Sequence, residues 1–199
     1  MTLTPRSLAP LVAFTLLLLA PSLAIAGGAL SFHLRFEALL VVSLLCVAAC
    51  VLGGYSFAEL GLGAPRGGRA WLICGTLTCL LLAAIVVEAQ FFSHPHAPPN
   101  WIAFAPFYAL VSSPCQEIVC RSIPKLIADR MQMSGRHYVL FSSAVFSLMH
   151  AAYGDPVLLA NTFLAGVAWS SAYLYTRNVW PLTASHAAVG SFAFWIGLA

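Results

Sequence analysis

Residues 70–92 read AWLICGTLTCLLLAAIVVEAQFF, a run in which Glu88 is the one charged side chain. A helix needs about 20 consecutive apolar residues to cross the hydrocarbon core of a bilayer, so this window is long enough to span. Six other windows approach the same length: Leu8 to Ala26, Phe36 to Leu52, Trp101 to Cys120, Tyr138 to Tyr153, Val157 to Tyr175 and Val179 to Leu198. All seven are continuous apolar runs without the alternation of barrel strands, which predicts helices. Across the 199 residues, 61% are hydrophobic and 8% charged, against roughly 25% charged in an ordinary soluble domain. Mean hydropathy is +0.90. The expected fold class is therefore all-α: a polytopic transmembrane helical bundle of about seven spans, forming one domain over 1–199.

Breakers and polar clusters mark the loops at Gly27-Gly28, Gly61 to Arg69, Ser93 to Asn100, Met131 to Arg136 and Gly154-Asp155-Pro156. With a cytoplasmic N-terminus, Arg6, Arg66, Arg69, Arg121, Lys125, Arg130, Arg136 and Arg177 all fall inside and Arg35 alone falls outside. The net charge of +3 thus reflects topology, and with no basic patch interleaved with aromatic residues nucleic acid is not an expected partner. The first span also reads as a signal peptide, because Arg6, an apolar core and Leu23-Ala24-Ile25-Ala26 precede Gly27. Cleavage there would leave six spans. His33, His94, His96 and His137 read as loop or interface residues, and Trp101, Trp180 and Trp195 as an aromatic belt.

The six cysteines, Cys46, Cys50, Cys74, Cys79, Cys115 and Cys120, lie in or beside apolar spans without metal-type spacing, and read as small packing residues. Ionisable residues at bilayer depth say more, because they are costly and usually have a job or a partner. Glu117 and Arg121 stand four apart, acid first, the favourable order for a helical ion pair. Gln116 precedes Glu117 and points about 100° away around the helix, so the two cannot face one spot equally. Glu88, Gln90 and Asn161 are expected to snorkel or to hydrogen-bond between helices.

His150 lies sixteen residues after Ser134, and Glu117 sixteen before Met133. At 1.5 Å per residue each would be about 24 Å from the intervening turn, hence at matching depth. Pro124 works against this register, since a proline inside a helix usually kinks it. His186, in a stretch of small residues, supplies a second imidazole. Converging, a carboxylate and two imidazoles hold a water as a general base does, or bind zinc through Glu117, His150 and His186. The bare residues leave both open, as they leave open a proton-relay transporter, although no internal repeat of the kind many transporters carry is visible.

The order Gln116-Glu117-Ile118-Val119-Cys120-Arg121, then Phe146-Ser147-Leu148-Met149-His150, then His186-Ala187-Ala188-Val189-Gly190 resembles the CAAX-protease and bacteriocin-processing family of glutamic-type intramembrane proteases. Leu60-Gly61-Leu62-Gly63 with Pro65-Arg66 resembles that family's loop after the second span. The resemblance places the motif-bearing core at 101–199 and implies an endopeptidase acting on a membrane-anchored protein or peptide, for example at a C-terminal sorting or processing signal. No cofactor is expected, zinc being the alternative. It further implies a glutamate that activates water, a histidine that assists, and a last histidine with an asparagine that stabilises the oxyanion. Gln116 stands where the family has its first glutamate, and Gly190 where it has the asparagine. The expected roles are therefore Glu117 activating water, His150 positioning it, His186 stabilising the oxyanion and Arg121 orienting the glutamate. The other reading is a non-catalytic relative that serves as a membrane binding, immunity or assembly factor. The expected location is a bacterial inner membrane, crossed several times.

Overall fold

The computed structural model describes residues 5–65, 67–91 and 99–198. Arg66, His94 and His96 lie outside the described residues, as does the side chain of Arg6. Among the described residues the secondary structure is helical, without strands, so the all-α expectation holds. The helices are α1 (Pro5–Ala26), α2 (Arg35–Leu52), α3 (Arg69–Glu88), α4 (Trp101–Arg130), α5 (Gly135–Met149), α6 (Pro156–Thr176) and α7 (Val179–Trp195). Each answers to one apolar window. Among the described residues four stretches, Phe32–Leu52, Arg69–Glu88, Trp101–Arg130 and Pro156–Thr176, are long and apolar enough to cross a membrane by themselves. Large apolar side chains face outward, with Leu52 89% and Ile102 90% exposed, which is lipid-facing surface in a chain of this composition.

Capping explains where several helices begin. Ser134, Asp155 and Asn178 take extended backbone and accept hydrogen bonds from first-turn amides of α5, α6 and α7, with Pro156 at the first position of α6. Gly154, at φ 68°, closes the turn before Asp155.

At 1.5 Å per residue, the 30 residues of α4 run about 45 Å, longer than a hydrocarbon core of about 30 Å. The α5 helix has 15 residues and a 3-10 turn, His150–Tyr153, at its end. Together they form the long-armed hairpin expected from the short fifth window. Lys125, Asp129 and Arg130 ride on the last turns of α4, where Asp129 pairs with Lys125 and with Arg177 of the α6–α7 turn. Pro124 does not break α4. A π-turn, Ile118–Ser122, precedes it and another, Tyr108–Ser112, precedes Pro114. The carbonyl of Cys120, which Pro124 cannot serve, instead accepts the Ser142 hydroxyl from α5.

Small and hydroxyl residues let the helices approach. Gly166 of α6 lies against Ser143 of α5, where an added Cβ would meet the Ser143 Cα at 3.0 Å. Ser142 and Ser170 hydroxyls bond at 2.6 Å across the same pair. Thr78 of α3 donates to Ser185 of α7 at 2.8 Å, and Ser22 of α1 to the Met149 carbonyl at 2.7 Å. The expected interhelical bond is formed too: Asn161 of α6 donates to Glu88 of α3. All six cysteines are free thiols, four of them buried.

The loop after α2 is tied down. The Leu60 carbonyl accepts Ser122, the Gly61 carbonyl accepts the Val179 amide, Leu62 accepts the Trp180 indole and Gly63 accepts the Asn178 amide, all at 2.6–3.0 Å. Gly61 has φ 68°, and a Cβ there would lie 2.6 Å from the Tyr173 hydroxyl. Only glycine fits.

Candidate active site

Three helices bring the motif residues together inside the bundle. From α4 come Gln116 and Glu117, both buried and, as the 100° offset requires, aimed differently. Glu117 points at α7, where its Oε1 accepts the His186 Nδ1–H at 2.7 Å. Its Oε2 lies 3.5 Å from the Arg121 Nε, and both side chains are fully buried. The i, i+4 ion pair expected from sequence is thus present, but it is part of a larger cluster.

Aromatic rings frame that cluster. The His186 imidazole stacks on the Trp169 indole at 4.5 Å and 18°, and the Trp169 Nε1 donates to Ser185 at 3.0 Å, which fixes the indole. The Arg121 guanidinium sits 4.5 Å above the Phe146 ring. Phe146 also meets His186 edge-on at 5.4 Å and His150 at 4.8 Å. The four-residue spacing of Phe146 and His150 therefore has a packing cause: the phenyl ring is the wedge that both imidazoles flank.

His150 opens the 3-10 turn after α5, and its Nδ1–H donates to the Phe146 carbonyl at 2.8 Å. That bond fixes the tautomer and leaves Nε2 with the lone pair. In His186 the Glu117 bond does the same. Glu117 and His150 lie within about one helical turn of each other in depth, since the Cys120 and Met149 sulfurs beside them meet at 3.3 Å across the same hairpin.

A cavity of about 240 Å³ opens on this cluster. Tyr108, Gln116, His150 and His186 are on its wall, and Glu88 and Asn161 also line it. A smaller one of about 60 Å³ shares Gln116, His150 and Tyr153 and reaches Arg35. Glu117 lines neither cavity. The expectation that Glu117 itself faces the reacting water therefore needs correction, because α4 turns Gln116 to the cavity and places Glu117 behind His186. Nor are Glu117, His150 and His186 gathered as zinc ligands: Glu117 already holds His186, and the His150 Nδ1 is held by a carbonyl. Among the described residues no three His, Cys, Asp or Glu side chains are grouped to hold a metal ion.

Sequence reasoning missed two members of the site, Trp169 and Tyr108. Trp169 looked like any apolar residue of its span. Tyr108 stands eight residues before Gln116, about 80° away on an ideal helix. The intervening π-turn absorbs one residue and brings the offset to about 20°. A proline six residues after Tyr108, at Pro114, was the available hint of irregular backbone.

Comparison with curated proteins and with solved structures gave no match. Residues 98–192, which hold every side chain of this cluster, match the family model described as type II CAAX prenyl endopeptidase Rce1-like, so that segment of the chain is similar to those proteins.

Proposed function

We propose that this protein is an intramembrane endopeptidase that hydrolyses a peptide bond in a membrane-tethered protein, with Glu117 acting through His186. The observation that carries the reading is the 2.7 Å bond between the Glu117 carboxylate and the His186 Nδ1, placed behind a cavity wall that also holds His150. A carboxylate on Nδ1 fixes the imidazole with its Nε2 lone pair free, and stabilises the imidazolium that forms when Nε2 takes a proton. Water in the cavity gives its proton to His186 Nε2 and attacks the scissile carbonyl carbon. His150, whose Nε2 is likewise unprotonated, accepts a hydrogen bond from the second O–H of that water, which stays intact, and sets its direction. His186 then returns its proton to the leaving amine as the carbon–nitrogen bond breaks.

Arg121 balances the Glu117 charge without reaching the cavity, so it is a positioning residue. Gln116 cannot take a proton. Its amide donates to Ser112 at 2.9 Å, which leaves its carbonyl oxygen on the cavity side to accept a substrate amide. The bundle sits in a bacterial plasma membrane with its N-terminus cytoplasmic. The grouping of Lys125, Asp129 and Arg177 at one end of the bundle, with Arg35 packed against Tyr153 beyond the other end of α5, supports that orientation.

The test is cleavage of a membrane-anchored peptide by the purified protein in liposomes. Activity that survives intact in both His186→Ala and His150→Ala would refute the mechanism. One observation favours the second reading, a non-catalytic relative that binds a tethered protein: the cavity presents a carboxamide, Gln116, where a carboxylate would serve as base. Under that reading the wild type binds such a peptide without turnover, and His186→Ala leaves binding unchanged.

A further inference from the structure

Gly190 of α7 lies under the ring of Tyr108. A Cβ added at residue 190 would come within 2.7 Å of the Tyr108 Cζ and 2.8 Å of Cε1, and closer still to the hydroxyl. No side chain fits between them, so the absence of one at 190 is what lets the phenol reach this place. The phenol is held there. Phe104 stacks on it at 5.1 Å and 18°, Phe194 meets it edge-on at 5.5 Å, and the ring is 5% exposed. His186 presents its imidazole to the same ring at 6.0 Å, and both Tyr108 and His186 line the cavity.

The hydroxyl has no firm protein partner. Ser113 is near enough to influence it, yet the Ser113 oxygen has no hydrogen bond of good geometry. By contrast, the Trp169 indole N–H is occupied by Ser185, and the Gln116 and Asn161 amides each have one of their two N–H groups engaged, by Ser112 and by Glu88. On the cavity wall, the Tyr108 O–H is open to a ligand oxygen.

We infer that Tyr108 is a catalytic residue: its hydroxyl donates to the scissile carbonyl oxygen as that oxygen becomes negative, in space that Gly190 keeps clear. This deepens the hydrolase reading and rests on it. When water adds to the carbonyl carbon, the carbonyl π pair moves onto oxygen and the water proton goes to His186. The Tyr108 O–H stays intact and holds the oxyanion until the carbon–nitrogen bond breaks. A donor fixed in advance by ring packing does this without reorganisation, which is why such donors matter most in the transition state.

The experiment compares four proteins in liposomes with one membrane-anchored peptide: wild type, Tyr108→Phe, Gly190→Asn, and Tyr108→Ala combined with Gly190→Asn. Tyr108→Phe keeps the ring packing and removes only the donor, so kcat is expected to fall by about 10²–10³ with KM within about twofold. Gly190→Asn alone cannot be accommodated under the phenol and is expected to be inactive. The double variant moves a donor from α4 to α7 and is expected to recover at least about tenfold over Tyr108→Phe, a rescue that loss of packing alone would not produce. A Tyr108→Phe enzyme with unchanged kcat beside an active wild type overturns this role and leaves the hydrolase reading standing. A wild type that binds the peptide without turnover overturns both.

Discussion

Removing Glu117 should damage the fold as well as the reaction, and the two effects separate. Arg121 is fully buried, and among the described residues the Glu117 carboxylate, 3.5 Å from its Nε, is the one acid paired with it. Its guanidinium is otherwise packed on Phe146 at 4.5 Å and Trp169 at 5.9 Å, where none of its nitrogens makes a well-formed hydrogen bond. Breaking a buried ion pair from one side strands the other charge and costs about 3–5 kcal/mol, a factor of about 10²–10⁴ in the folded-to-unfolded ratio. Glu117→Ala is therefore expected to lose that much in equilibrium unfolding by SDS in mixed micelles. Glu117→Leu combined with Arg121→Met removes both charges and should regain most of the stability while remaining inactive, because His186 has lost its carboxylate. A Glu117→Ala protein as stable as wild type would refute the buried-pair argument. A double variant no more stable than Glu117→Ala would refute it equally.

His186→Ala removes the proposed base and should lower kcat by about 10²–10⁴, with the helical circular dichroism signal retained. Gly61→Ala should destabilise the protein by more than about 1 kcal/mol, since alanine is strained at positive φ and its methyl collides with the Tyr173 hydroxyl; thermal unfolding in detergent reads this. Glu59, in the loop after α2, is held below the usual carboxylate range by the Ser56 amide and hydroxyl. A depressed carboxylate adds stability above its unfolded value of 4.5 and loses it as pH falls through the folded one, so the Ser56 amide resonance should shift in acid, and not in Glu59→Gln.

Seven helices were legible because lipid imposes a length and a composition that no other fold needs. The matching depths of Glu117 and His150 were legible from a count of residues on two helical arms. What counting could not supply was direction around α4. Gln116 and Glu117 divide the cavity and the interior between them, and the side each takes is set by two π-turns that a sequence pattern of 3.6 residues does not contain. The same irregularity hid Tyr108. The role of Leu60 to Gly63 was visible only as a resemblance, because its carbonyls are bound by Ser122, Asn178, Val179 and Trp180, far along the chain.

The segment Ser113–Glu117 lies between those two π-turns. Each turn takes up one residue more than an α-helix needs, so a one-residue deletion inside either turn restores α-helix and leaves that short block aimed as before. The two turns thus act as slack in α4, letting the helix lose a residue at either place without changing which side chain, amide or acid, meets incoming water.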